Sequence, residues 1–383
     1  MKDNRRLTVD EILTTSEGPG VRGSVDSKAD QQRNFVIAPD QRVLITGAAG
    51  FIGNRVLERL LERGFRNLVC LVRPSSNLSR LNAVIERRPE GAKIELVKGN
   101  LLSRQDCELA CKDAALILHL AAGVSEKSFP NAVLNSVVTT RNLLDACARN
   151  GSLTRFVLVS SFAVYSNRQK RQWRILDESC PVEKHPEQRG EAYCFAKVKQ
   201  EELLREYGKN LGVPYVVVRP GSVYGEGKAE ITGRVGLGTF GLFLHLGGSN
   251  PIPFTYVDNC AEAIVLAGLV PGVEGEAFNI VDDNLPSSRQ FLRLHKRSVR
   301  RFRSIYVPHF VSYALCCLWE RYSHWSEGQL PPAFNRNRWH AYWKKTRYSN
   351  RKLKSKLGWV PIISTSEALK QYFAACGQDA HSA

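Results

Sequence analysis

No stretch of the chain is apolar over the ~20 residues that a membrane-spanning helix requires. The segment from Met1 to Asn34 holds no apolar core either, which argues against a secretory signal. The chain's ten cysteines fall without paired spacing, and no Cys/His cluster has zinc-ligand spacing. The expectation is a set of reduced thiols in a cytoplasmic protein, with no disulfide framework and no metal site. Cys316 and Cys317 are read as small apolar residues, because adjacent cysteines bridge only with strain. There is no internal repeat and no low-complexity tract. Acid is scarce in one region: from Arg289 to Lys356 there are 17 Lys/Arg against only Glu320 and Glu327. Nearly all of the net charge of +17 therefore sits in that segment, together with four of the six tryptophans. Basic charge with interleaved aromatics suits an anionic partner, and the absence of an RNA-binding motif points away from nucleic acid.

With 43% hydrophobic and 24% charged residues over 383 positions, the chain has the composition of a globular protein with a large core. Its most informative stretch is Arg42-Val-Leu-Ile-Thr46-Gly47-Ala-Ala49-Gly50-Phe51-Ile52-Gly53. This reads as a buried strand, a glycine turn and a helix. Gly47 permits the sharp turn, Gly50 lets backbone approach a pyrophosphate, and Gly53 allows close packing of helix on strand. The first turn of that helix presents free N–H groups and a positive dipole end to phosphate. The amphipathic helix behind it (Val56, Leu57, Leu60, Leu61) and the strand after Gly64 supply the context that a glycine triplet alone lacks.

Downstream, apolar strands are expected at Leu68–Val72, Ile94–Val97, Leu116–Leu120, Phe156–Ser160, Tyr215–Val218 and Phe278–Val281. The clearest helices between them are Phe129–Arg149 and Ala192–Leu211. Strands apolar on both faces with helices between them predict an α/β fold: a doubly wound parallel sheet whose ligand crevice lies at the strands' C-terminal ends. The expected division is a flexible extension over 1–40, with a short helix at Val9 to Leu13, then a dinucleotide-binding domain over 41–285. A smaller, mostly helical substrate lobe over 286–383 completes it. Val307 to Trp319 is read as a core helix of that lobe, with contact to an acidic membrane through 295–345 as the alternative.

Ser161 closes one strand, and Tyr193-Cys-Phe-Ala-Lys197 opens a helix that places Tyr193 and Lys197 on one face. A free phenol has a pKa of ~10 and is a poor base at neutral pH. A neighbouring ammonium favours phenolate, so the pair suits removal of a hydroxyl proton from a carbon that also loses hydride. Cys194 and Phe195 are read as helix packing. Asn135 is read as a polar contact, with a water-holding role as the alternative. His119 is read as a satisfied core or cofactor-edge histidine.

These residues resemble the extended short-chain dehydrogenase/reductase family, the epimerase/dehydratase-like group, from about Arg42 to Tyr372. The resemblance rests on the glycine turn, His119-Leu-Ala121-Ala122-Gly123, Asn135 to Asn142, and the Ser161/Tyr193/Lys197 set. It continues through Arg219-Pro220-Gly-Ser222-Val-Tyr-Gly225, Tyr256-Val-Asp258 and Leu357-Gly-Trp-Val-Pro361. It implies that Tyr193 is the general acid/base, that Lys197 holds the ribose and tunes Tyr193, and that Ser161 orients substrate. Pro220 and Ser222 would lie beside the nicotinamide, and Ala121 to Gly123 along the cofactor. It also implies a homodimer formed through Phe129–Arg149 and Ala192–Leu211.

The chain departs from the family pattern at several points. Arg73, with Ser75 and Ser76, stands where NAD-preferring members place an acid, which favours NADP over NAD. Asn100, before Leu101, replaces an aspartate near adenine. The stretch Ile252-Pro-Phe-Thr-Tyr-Val257 lacks the arginine that clamps a substrate diphosphate, and Lys228 and Arg234 are candidate replacements. The interval from Ser161 to Tyr193 is longer than usual, with Arg168 to Arg174 expected as a surface loop. The expected activity is NAD(P)-dependent chemistry at a secondary alcohol or ketone carbon of a nucleotide- or lipid-linked sugar. The alternatives are a hydroxysteroid-dehydrogenase-like or dihydroflavonol-reductase-like enzyme acting on a hydrophobic alcohol, and a non-catalytic NADP-sensing or assembly protein.

Overall fold

The computed structural model describes residues 34–382, apart from 125, 169–173, 229, 240 and 327–333. The helix expected at 9–13 lies outside the described residues. Seven parallel strands form the central sheet: β1 (Arg42–Thr46), β2 (Asn67–Val72), β3 (Lys93–Lys98), β4 (Ala114–His119), β5 (Arg155–Val159), β6 (Tyr215–Pro220) and β7 (Ala277–Ile280). Their order is β7-β6-β5-β4-β1-β2-β3. The order reverses between β1 and β4, which opens a crevice at their C-terminal ends. The inner strands are buried on both faces, as their Val/Leu/Ile runs predict. β3 departs from that expectation. It is the edge strand, its burial alternates, and Glu95 points outward to pair with Arg42 at 2.9 Å.

The helices close both faces: α1 (Gly53–Glu62), α2 (Ser79–Glu86), α3 (Arg104–Cys111), α4 (Thr139–Ala148), α5 (Ala192–Leu211) and α6 (Val257–Leu269). The helix expected from Phe129 to Arg149 is interrupted. A turn at Phe129–Ala132 passes into a π-helical stretch, Val133–Val138, before α4 begins. Arg155, fully buried at the start of β5, donates to the carbonyl of Val270 at 2.6 Å. It thereby satisfies the uncapped C-terminal end of α6.

Within the segment read as an extension, Ile37 is buried in the sheet's core and the Val36 N–H donates to Leu269 O at 2.9 Å. The residues after 286 do not form one separate lobe. α7 (Ser288–Ser298), α8 (His309–Trp325), α9 (Arg336–Tyr342) and α11 (Thr365–Ser382) lie outside the central sheet, α7 packed on α11 and α8 on α9. α10 (Arg351–Leu357) returns instead to the sheet, where Leu353, Leu357 and Trp359 join the core around β1. A small sheet of Gly236–Thr239, Leu242–His245 and Ser304–Tyr306 adds strand to the lobe.

α8 corrects the reading of Val307 to Trp319 as a core helix. Its buried residues are Ser312, Cys316 and Ser323, whereas Phe310, Leu318 and Trp325 are 77%, 63% and 78% exposed. Each large apolar side chain left in water forgoes about 1.5–3 kcal/mol of burial, so this is not how a core helix is oriented.

Candidate active site

The glycine turn lies at the C-terminal end of β1, on the crevice. Gly47 has φ +74, and a Cβ there would stand 3.0 Å from Ala121 N. A Cβ on Gly53 would meet Gly47 O at 2.1 Å, so α1 sits as close to the turn as a glycine allows. At Gly50 the only neighbour is Gly47 O at 3.1 Å, leaving the outer side of the turn open. Ile52 caps α1 without a side-chain hydrogen bond; the Gly50 N–H donates to Gly47 O at 3.0 Å and the Asn54 N–H to Gly50 O at 3.3 Å, so the N–H groups open to a ligand are those of Phe51, Ile52 and Gly53. An open glycine and uncapped N–H groups are what a pyrophosphate requires, and the residues present fit a dinucleotide.

The floor of the crevice is a hydrogen-bonded chain. Thr46 Oγ1 meets His119 Nδ1 at 2.7 Å, His119 Nε2 meets Thr140 Oγ1 at 2.9 Å, and Gln200 Nε2 donates to Thr140 Oγ1 at 2.6 Å. Burial drives the His119 pKa down to about 3, so the ring is a neutral spacer between β1, β4 and the helices. The Ala121 N–H reaches Thr46 Oγ1 at 3.3 Å and the Gly123 N–H reaches Ser136 Oγ at 3.0 Å, which fixes Ala121, Ala122 and Gly123 along the rim. Asn135 Nδ2 donates to Glu126 Oε1 at 2.7 Å. Asn135 thus holds Glu126, a half-buried carboxylate beside Gly123 that the residue pattern did not single out.

Ser161 ends β5 and accepts from the Ala163 N–H at 3.1 Å, which turns the chain into the 3₁₀ turn Phe162–Val164. Tyr193 and Lys197 extend from the first turns of α5, whose Ala-, Leu- and Glu-rich sequence favours helix. The Ser161 hydroxyl is close enough to that of Tyr193 to favour its ionised form. Lys197 Nζ donates to Val159 O at 2.7 Å and lies 6.0 Å from the Tyr193 ring centre. The three residues expected to act together are therefore assembled. Their electrostatics differ from expectation, because desolvation outweighs the other influences. It pushes the Tyr193 hydroxyl up to about 12, against the opposing influence of Ser161, and draws Lys197 down to about 8. The lysine does not by itself lower the phenol.

One turn beyond Lys197, fully buried Glu201 accepts from Ser160 Oγ at 2.6 Å and from Arg219 Nε and Nη2 at 2.9 and 2.7 Å. Arg219 continues to the Tyr165 hydroxyl at 2.8 Å, which donates to Asn279 Oδ1 at 2.7 Å. The fork-to-fork pair holds Glu201 ionised, below its usual range against burial, and its charge partly offsets the desolvation of Lys197. Sequence reasoning missed Glu201, although the spacing of residues 193, 197 and 201 places all three on one helical stripe.

Across the crevice, Pro220 ends β6. The Ser222 N–H donates to Pro253 O at 2.7 Å and Ser222 Oγ lies 3.3 Å from Thr232 Oγ1. The two candidate substrate cations separate. Lys228 Nζ stands 5.7 Å from the Phe51 ring, beside the glycine turn. Arg234 points into the lobe, 5.2 Å from the Tyr342 ring, and donates to Ala341 O at 3.0 Å and to the Tyr348 hydroxyl at 3.3 Å. Tyr342 also receives Arg189 and Arg338 at 5.3 and 5.8 Å, and it is close enough to act electrostatically on Tyr193. Arg73 is exposed just past β2, and the Arg80 guanidinium lies over Gly227. Asn100 is exposed: its N–H meets Asp106 Oδ2 at 2.7 Å and its Oδ1 accepts from the Leu102 N–H at 3.0 Å, while Leu101 is buried. Of the segment expected as a surface loop, 169–173 lie outside the described residues, and its two ends, Arg168 and Arg174, are exposed. Asn167 donates to His340 O at 2.9 Å, and Ile175–Leu176 pairs with Arg347–Tyr348.

Strand order and the side chains at this edge define a class, the nicotinamide-dinucleotide enzymes of doubly wound fold. The model of the NAD dependent epimerase/dehydratase family matches residues 43–280, and the chain belongs to that family, among the extended short-chain dehydrogenase/reductases. Short-chain dehydrogenase/reductase family 42E member 1 of Mus musculus is 28% identical over 366 residues, covering 88% of this chain and 89% of that one. The trifunctional UDP-glucose 4,6-dehydratase/UDP-4-keto-6-deoxy-D-glucose 3,5-epimerase/UDP-4-keto-L-rhamnose-reductase RHM1 of Arabidopsis thaliana is 30% identical over 264 residues. That match covers 63% of this chain and only 36% of the plant enzyme. Among solved structures, UDP-glucuronic acid 4-epimerase from Bacillus cereus in complex with NAD has the same fold, with a TM-score of 0.64 at 20% identity. The alignment covers 89% of this chain and all of that one.

Proposed function

We propose that the protein oxidises and re-reduces a secondary alcohol carbon of a nucleotide-linked sugar, in the manner of an epimerase. The observation that carries this is the assembly of Ser161, Tyr193 and Lys197 at the end of β5, one helical turn from the buried Glu201–Arg219 pair. When bound, the dinucleotide would take up and return hydride. Gly47, Ala49, Gly50, Phe51, Ile52 and Gly53 would hold its pyrophosphate, Lys197 its ribose, and Pro220 and Ser222 the nicotinamide side. Tyr193 Oη would take the proton from the substrate hydroxyl and return it. Ser161 Oγ would hold the same oxygen by a hydrogen bond. The chain's own groups leave Tyr193 too weak an acid to be a base at neutral pH, so its ionisation depends on positive charge brought in with the cofactor.

The groups acting on Tyr193 are Ser161, Tyr342 and Cys194, with no carboxylate among them. Water elimination needs an additional acid/base beside the reacting carbon; Glu126, the carboxylate on the rim, is already held by Asn135 Nδ2 at 2.7 Å, and on that ground epimerisation is favoured over dehydration. Arg234, against Tyr342, is suited to an anionic substrate group, while Arg338 is paired with Glu191 at 3.3 Å and Lys228 is better placed for the dinucleotide's phosphates. NADP is the preferred cofactor on this reading, because Arg73 and Arg80 stand on the ribose side and β2 ends without an acid. Dimerisation through Phe129–Arg149 and α5 is supported by the exposure of Leu134 in the first segment and of Leu211 at the end of the second.

The test is incubation with UDP-, GDP- and dTDP-sugars and either dinucleotide, followed by mass spectrometry and chiral separation. An isomer of unchanged mass supports epimerisation, loss of one water identifies a dehydratase, and loss of two hydrogens with reduced cofactor identifies a dehydrogenase. Inertness toward every sugar, with turnover of a hydrophobic alcohol, would replace this reading by the second one. That second reading is favoured by Tyr342 and Tyr348, aromatic side chains beside the site.

A further inference from the structure

We propose that the outward face of α8, with the strand before it, is a docking surface for an acidic lipid bilayer, on which the enzyme rests without crossing. The helix is turned the opposite way from a core helix. Phe310, Leu315, Leu318, Tyr322 and Trp325 recur at spacings of one helical side, and they are 77%, 48%, 63%, 48% and 78% exposed. The inward side carries small residues. Ser312 Oγ accepts from Trp339 Nε1 at 2.9 Å and donates to His309 O at 2.9 Å, and Cys316 is packed with Leu246, Trp339 and Trp343. Ile305 and Tyr306, in the strand before the helix, extend the apolar surface.

The chemistry of the face selects lipid over protein. Tyr322 and Trp325 lie ring to ring at 5.6 Å near the end of the helix, amphipathic aromatics of the kind that settle at the boundary of headgroups and acyl chains. No helix among the described residues is long and apolar enough to cross a membrane, so the face lies on the surface. Exposed arginines at 293, 297, 300, 301 and 303 precede the helix and Arg321 lies on it. The helix's acid, Glu320, is paired with Arg336 at 2.7 Å. A cluster of that sign is drawn to an anionic leaflet, whereas a second copy of the chain would bring like charge against it. None of these residues belongs to the catalytic set, so the inference stands or falls independently of the proposed reaction.

The experiment is sedimentation of the full chain with vesicles of phosphatidylcholine alone and of phosphatidylcholine mixed with phosphatidylserine. The parent, the triple variant Phe310→Ser/Leu318→Ser/Trp325→Ser and the charge variant Arg300→Glu/Arg301→Glu are compared. Dinucleotide affinity is measured on each as a check on folding. The expected result is binding to acidic vesicles with a blue shift of tryptophan emission, weakened about tenfold or more in the triple variant and also reduced in the charge variant and by salt. Failure of the parent to bind acidic vesicles, or equal binding by all three proteins, would overturn the proposal. So would a parent dimer that the triple variant converts to monomer, since that outcome gives the face to a second copy. Should the triple variant fail to fold, the charge variant and the salt dependence decide.

Discussion

Replacing Glu201 with Gln removes one charge from the centre of the molecule and changes almost nothing in shape. The carboxylate is fully buried and carries four hydrogen bonds, from Ser160, twice from Arg219, and from Arg205. A Gln oxygen can keep the Ser160 and Arg219 Nε bonds, but its NH₂ faces the donors of Arg219 Nη2 and Arg205. Arg219 is then left as a buried, uncompensated cation, which costs about 3–5 kcal/mol. For a chain of this size the melting temperature falls by roughly 2 °C per kcal/mol, so a drop of about 6–10 °C is expected. A second effect follows from helical spacing. Glu201 is the charge that supports the Lys197 ammonium against burial, and with it Lys197 titrates at about 8. Without it the pKa moves lower, and the lysine begins to lose its proton near neutral pH. The alkaline limb of kcat/KM therefore shifts to lower pH in Glu201→Gln, a change that a purely structural role would not produce. In the parent, the depressed lysine is a folding penalty present below pH 8 and relieved as pH rises from about 8 toward the ordinary lysine value. Calorimetry and a pH–rate series on both proteins provide the assay. A loss under about 1 kcal/mol together with an unmoved alkaline limb would refute the reasoning.

Two further substitutions probe the cofactor side. Gly53→Ala places a methyl 2.1 Å from Gly47 O and 2.7 Å from Ala48 Cα, both backbone, so α1 must move off the turn. Dinucleotide affinity by fluorescence quenching should fall at least ~30-fold, while the sheet, which overpacking costs only about 1–3 kcal/mol, still folds. Arg73→Ser should weaken NADP about tenfold and leave NAD unchanged, as measured by titration of each. Equal responses to the two dinucleotides in the parent would remove the NADP preference.

The sheet was legible because parallel strands buried on two faces have few ways to be written other than as Val/Leu/Ile runs. The glycine turn was legible because each glycine answers to a local constraint. Ser161, Tyr193 and Lys197 could be found for a related reason: strand end and helix start each carry a local signal. What stayed hidden depends on distant contacts. Tyr342 and Tyr348 reach the site from far along the chain and carry no mark of it. The return of Trp359 to the sheet's core crosses the expected lobe boundary for the same reason. In α8 the periodicity shows that two faces exist but does not say which one is buried. The polarity rule that normally decides was reversed, with Ser312 and Cys316 inside and Phe310 and Trp325 outside.

The most direct test is Tyr193→Phe, which deletes the proton-carrying oxygen and keeps the ring's packing. With an identified substrate, kcat should fall by at least ~100-fold, the usual contribution of a positioned acid/base, while dinucleotide affinity and melting temperature hold. Turnover at the parent rate, with binding intact, would contradict the assignment of Tyr193 as the group that moves the proton.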